Sequence, residues 1–112
     1  MKHIDFYTLI EQYFFPGCLG IMQSKGAAYS GDDDVFSNFK RLSKELDLPM
    51  LKVWLVYFQK HYDATRSYVN GNYKDSEGID GRIADMINYL FLLYGMIKEM
   101  EGEKNVPNKD QG

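Results

Sequence analysis

The chain is poor in cysteine, and Cys18 is the only one. No intramolecular disulfide can form, which fits a reducing compartment. Cys18 lies between Gly17 and Leu19, with no basic neighbour to activate it. A buried, inert thiol is therefore expected rather than a nucleophile. Long apolar runs are missing as well. The longest, residues 89–97, falls far short of the ~20 residues that cross a bilayer. The opening Met1-Lys2-His3-Ile4-Asp5 lacks the charged segment and apolar run of a signal peptide. The expected location is the cytoplasm, with no membrane association. No stretch alternates apolar and polar residues between turn signals, so strands are not expected. Basic charge is also scarce: 13 Lys and Arg stand against 16 Asp and Glu, a net charge of −3. Nucleic-acid binding needs clustered cations and is not expected. Lys40, Arg41 and Lys44 are grouped, but Glu45 and Asp47 adjoin them, so they read as a solvated helix face.

What the chain has in quantity is aromatic surface. Nine Tyr, seven Phe and one Trp make 15% of its 112 residues. That length suits one domain with a thin core, which burial at a subunit interface would reinforce. Tyrosine, with an apolar body and a polar tip, suits interfaces and ligand pockets as well as cores.

Apolar spacing predicts helices throughout. Residues 4–15 carry Phe6, Leu9, Ile10, Tyr13 and Phe14 at helical intervals, and Pro16-Gly17 should interrupt them. A short run over 18–25 follows and should end at Gly26. A loop over 27–33 leads into Asp32, Asp33 and Asp34, which should cap a helix over 34–46. Asp47-Leu48-Pro49 starts a helix expected to reach Val69, with apolar residues on two sides. After a polar linker through Asp75, the last helix is expected over 79–100, and residues 101–112 as a mobile charged tail. The expected architecture is all-α: one domain over 1–100, a compact antiparallel bundle of four to five helices, most simply a dimer.

The last helix carries the informative polar residues. It is apolar on nearly every side between Ile83 and Ile97, which places it centrally. Yet Arg82, Asp85 and Asn88 follow one another at intervals of three, with Tyr89 adjacent. A buried charge is costly unless it is paired or serves a ligand. One reading is an Arg82–Asp85 ion pair with Asn88 capping a neighbour; the other is the polar floor of a pocket. Glu77 and Asp80, before the helix, either complement its dipole or join Asp85 around a divalent cation such as Mg2+. His61, beside Lys60, is either a hydrogen-bonded core histidine or, if it faces Arg82 and Asp85, a group that contacts phosphate or polarises water.

The set Lys25-Gly26-x-x-Tyr29, Val35-Phe36-x-Asn38-Phe39, Val53-Trp54-x-x-Tyr57-x-x-Lys60-His61 and Ser76-Glu77-x-Ile79-x-Gly81-Arg82-Ile83-x-Asp85-x-x-Asn88-Tyr89-Leu90 resembles small phage and prophage proteins similar to the nucleotide modification associated domain 1 group. Asp85-x-x-Asn88-Tyr89-Leu90 also looks like the last helix of the MazG-like all-α nucleoside-triphosphate pyrophosphohydrolases. Those enzymes hold Mg2+ with a Glu-x-x-Glu pair and a Glu-x-x-Asp pair. This chain has no Glu-x-x-Glu, and Arg82 stands where the second pair would place its Glu.

The resemblance implies a nucleotide as ligand, in the host cytoplasm if the protein is phage-encoded. Lys25, Lys60 and Arg82 would neutralise phosphates. Tyr29 or Tyr57 would stack on the base, and Asn38 and Asn88 would complete the polar contacts. Catalysis would assign Glu77 and Asp85 to Mg2+ and His61 to proton handling; no organic cofactor is expected. Two other expectations stand beside this one. In the first, the protein sequesters a nucleotide signal, as an anti-defence factor, or binds a host protein without catalysis. Alternatively it is a structural oligomer whose polar set is an interface network.

Overall fold

The computed structural model describes residues 1–29 and 33–104, with the side chains of 27–29 and 104 left aside. It is all-α, with no strand among the described residues. Helix α1 (His3–Thr8) passes into a π-helical segment (Leu9–Phe14) and then into α2 (Phe15–Tyr29). Helices α3 (Ser37–Leu46), α4 (Met50–Val69) and α5 (Ile79–Lys104) follow.

Pro16 does not break the first helix, contrary to the expectation from sequence. Proline has no N–H to donate, and its ring strikes the carbonyl four residues earlier, here that of Gln12. The π-helical turn ends two residues before Pro16 and contains Gln12, so the wider turn accommodates the ring. Gly26 is likewise passed through, at roughly the 1 kcal/mol that glycine costs in a helix. The apolar residues of 4–15 do lie in a helix, as their spacing predicts. Yet no residue of α1 or the π-helical segment is buried.

Helix α3 begins at Ser37, three residues later than expected. Asp34 still organises its start: one carboxylate oxygen accepts from Phe36 N at 2.9 Å and the other from Lys40 Nζ at 2.6 Å. Asp47, left-handed at φ 52°, ends α3, and Leu48 N closes on Ser43 O at 3.1 Å. Pro49 then leads into α4 with its ring clear of the helical ladder. Gly71, at φ 77°, turns the chain out of α4, a conformation that favours glycine. Helix α5 continues to Lys104, beyond the expected end at residue 100; residues 105–112 of the expected tail lie outside the described residues.

Helix α5 is the central element. Trp54 pairs with Tyr89, His61 with Arg82 and Asp85, and Thr65 with Met86, so α4 runs antiparallel to α5. Phe15 meets Phe91, Cys18 meets Asn88 and Lys25 meets Asp85, so α2 does the same on another side. Helix α3 closes the core, where Phe36, Trp54 and Met96 are buried among Phe39, Phe58, Leu92 and Leu93. Trp54 stacks on Phe58 at 4.8 Å and donates its indole N–H to Tyr89 O at 2.7 Å, so its polar edge is satisfied. Gly95 makes room for Phe36: a Cβ there would lie 2.8 Å from the ring. No described helix is long and apolar enough to cross a membrane.

Candidate functional site

The polar ladder of α5 is buried in full. Arg82, Asp85 and Asn88 are each below a tenth exposed, as is His61 facing them from α4. Their pairing divides into two groups.

The first group surrounds Arg82. Its Nη2 binds the carboxylate of Asp75 in the linker, and its Nε lies 3.4 Å from Glu77 Oε2 without a hydrogen bond of its own. The neighbouring carboxylate of Asp75 holds the guanidinium's pKa above its ordinary value. Asp75 is in turn held below its usual range, first by the Glu77 backbone N–H and then by Arg82. Arg82 Nη1 lies 3.3 Å from His61 Nδ1. Arginine can only donate, so Nδ1 accepts and the ring proton sits on Nε2. Burial pushes the His61 pKa down, against the opposing pull of Asp85. His61 is thus a neutral core histidine fixed by Arg82. The Arg82–Asp85 ion pair that spacing suggested gives way to Asp75 and Glu77, because the linker folds back over the start of α5.

The second group surrounds Asp85. Its carboxylate takes Lys25 Nζ of α2 at 3.2 Å and stands 3.6 Å from His61 Nδ1. One turn further on, Asn88 Nδ2 donates to Cys18 O at 2.9 Å, while Asn88 Oδ1 is buried and has no partner. Burial raises the Cys18 thiol pKa, which fits the inert role read from sequence.

Asp85 and Asn88 line a cavity of about 280 Å3 between α2, α3 and α5. Met22, Val35, Phe39, Tyr89 and Leu92 supply its apolar walls, and Lys25 its exposed cation. A second cavity, of about 230 Å3, shares Phe39 and Tyr89 with the first and takes in Asn38, Arg41 and Tyr57. The expected site residues therefore separate. Lys25, Asp85 and Asn88 meet at the first cavity, and Asn38 and Tyr57 at the second. Lys60, His61, Glu77 and Arg82 line neither. The side chain of Tyr29 lies outside the described residues.

Sequence reasoning missed Asp75, read only as linker, and the walls made by Met22 and Leu92, which look like ordinary core positions. Nothing in sequence marks the Cys18 carbonyl, because a backbone acceptor carries no residue signature.

The Mg2+ expectation meets a specific chemical condition. Glu77 is engaged by Arg82, and Asp85 by Lys25. Among the described residues, no three His, Cys, Asp or Glu side chains gather as metal ligands. The donor set does not by itself fit a resident divalent ion. What the cavity brings together is two polar residues, Asp85 and Asn88, among apolar walls, with the exposed cation of Lys25. Comparison of the chain with family models, curated proteins and solved structures gives no match.

Proposed function

We propose that the cavity between α2, α3 and α5 binds a nucleotide, with the base on the apolar walls and the phosphate at Lys25. The observation that carries this reading is Asn88, which lines the cavity beside Asp85 and whose buried Oδ1 has no hydrogen-bond partner among the described residues, so that a small side-chain movement would offer it to a ligand. An unmet buried acceptor costs roughly 1–3 kcal/mol, so a ligand that donates to it is favoured. The amino or imino edge of a base is such a donor, and Phe39 and Tyr89 offer it ring surfaces. Lys25, exposed at the mouth, can meet the phosphate while keeping contact with Asp85. The resemblance to phage nucleotide-associated proteins supports the same ligand class, and the single buried thiol suits the cytoplasm.

Holding the nucleotide, rather than turning it over, is favoured by the pairing of Glu77 and Asp85 with cations of the chain itself. Any Mg2+ in this reading arrives on the nucleotide's phosphates. A thermal-shift series with nucleotides, deoxynucleotides and cyclic nucleotides, each with Mg2+ or with EDTA, tests it. A ligand at a hundred times its Kd should add ~2.7 kcal/mol and raise Tm by several degrees. A shift that survives EDTA, with the ligand recovered intact, supports holding. Steady multiple turnover requiring Mg2+ restores the enzymatic alternative. No shift with any nucleotide transfers support to a structural role for the polar ladder.

A further inference from the structure

Among the described residues, the central helix is covered on three sides and open on the fourth. Helix α4 covers the side of Arg82, Met86 and Tyr89, helix α2 the side of Asn88 and Phe91, and Phe36 of α3 sits against Gly95. The remaining side carries Ile83, Ile87, Leu90, Tyr94 and Ile97, at successive intervals of four, three, four and three. That spacing is the seam of two packed helices. Leu90 is 48% exposed and Tyr94 64%. On α4, Trp54, His61 and Thr65 face α5 and Tyr57 faces Phe39 of α3. Leu55, Tyr62 and Val69, seven residues apart and exposed, therefore lie on the flank away from α3, beside the open side of α5.

We propose that this face binds a second copy of the same chain, with the two α5 helices antiparallel about a two-fold axis at Leu90. Size is the first argument. Seven of the eight residues, all but Ile87, are 37–77% exposed, which makes one contiguous apolar face comparable at least to the ~300–600 Å2 patch that is the largest on a typical monomer and often functional. Register is the second. Antiparallel pairing about Leu90 sets Ile83 opposite the partner's Ile97, apolar against apolar. Charge is the third. Asp80 and Lys98 lie on the same edge of the seam near its two ends, both exposed. A two-fold axis across antiparallel helices brings equal edges together, so Asp80 approaches the partner's Lys98. The pairing is independent of what the cavity binds, because no residue of this face lines that cavity.

Sedimentation velocity of the full chain at micromolar concentration is the test, together with two variants. The native protein should sediment as a dimer. Leu90→Asp, at a position already half exposed, should raise the dimer Kd by ~100-fold or more and leave the helical spectrum unchanged. Leu90→Cys, which faces its own counterpart across the axis, should give a disulfide-linked dimer on oxidation; Val56→Cys, exposed on another side of α4, should not. The buried native Cys18 stays out of this reaction. A native monomer overturns the proposal. So does a dimer that survives Leu90→Asp, a dimer lost through Tyr13→Asp in the exposed first helix while Leu90→Asp spares it, or a Leu90→Cys protein that does not cross-link.

Discussion

Asn88 and Cys18 join α5 to α2 by a single hydrogen bond of 2.9 Å, from the Asn88 amide to the Cys18 carbonyl. The bond leaves the other end of the amide, Oδ1, buried and, among the described residues, unpaired, on a side chain that lines the cavity. One side chain thus has a structural end and an unsatisfied end, which the proposed ligand would satisfy once the amide shifts towards the cavity.

Replacing Asn88 by Asp separates the two ends. A carboxylate cannot donate to Cys18 O, so the tie is lost while an acceptor persists at the cavity. The variant should lose roughly 1–3 kcal/mol of stability in urea denaturation. Unchanged stability would show that the tie contributes little.

Lys25→Ala should act on both binding and stability. Lys25 is more than half exposed, but Asp85 is buried, so removing the lysine leaves a buried carboxylate without that donor and should cost roughly 1–3 kcal/mol of stability. Affinity for a nucleotide should fall, and affinity for the matching nucleoside, which has no phosphate, should not. An equal loss for both would place Lys25 elsewhere in the site.

The all-helical fold was legible in the sequence because apolar periodicity is a local signal. Helix α4 begins and ends where Pro49 and Asn70 indicated. The central position of α5 followed from its apolar circumference. The first helix was misread at Pro16 because a π-helical turn leaves no composition mark. That its apolar stripe stays unburied was not legible either, since periodicity records amphipathicity and not what covers it. At the site, the spacing of Arg82, Asp85 and Asn88 singled out three polar groups of α5 that are all buried, with Arg82 turned to α4 and Asn88 to α2. Their partners were not legible: Asp75, Lys25 and the Cys18 carbonyl lie 7 to 70 positions away along the chain. Only the tertiary fold selects among so many carboxylates, cations and carbonyls.

Stability should fall as the medium is acidified below the ordinary histidine range. Burial lowers the pKa of His61 in the folded state from the usual 6.5, so the unfolded chain binds its proton first. The contribution of His61 is therefore complete above pH 6.5 and is lost as pH falls from there through the lowered folded value. His61→Gln, which can still accept from Arg82, should flatten this part of a Tm-against-pH curve. An unchanged slope in the variant would remove His61 as its source.

Gly95→Ala tests the packing of α3 on the central helix. The added Cβ would lie 2.8 Å from the Phe36 ring, so the ring must move within a close-packed core. A loss of about 1–3 kcal/mol is expected by thermal or urea denaturation. Phe36→Leu in the same chain should recover part of it. A neutral Gly95→Ala would show that Phe36 relocates freely.

The most direct measurement is isothermal titration of the native protein and Asn88→Leu with one nucleotide, its nucleoside and the corresponding sugar phosphate. Asn88→Leu should first be shown to remain helical. The account predicts that the native chain binds nucleotide and nucleoside but not the base-free sugar phosphate, and that Asn88→Leu weakens both by ~10-fold or more, as loss of an acceptor worth about 1.4 kcal/mol requires. Equal binding of nucleotide and sugar phosphate, or binding unaffected by Asn88→Leu, would contradict it.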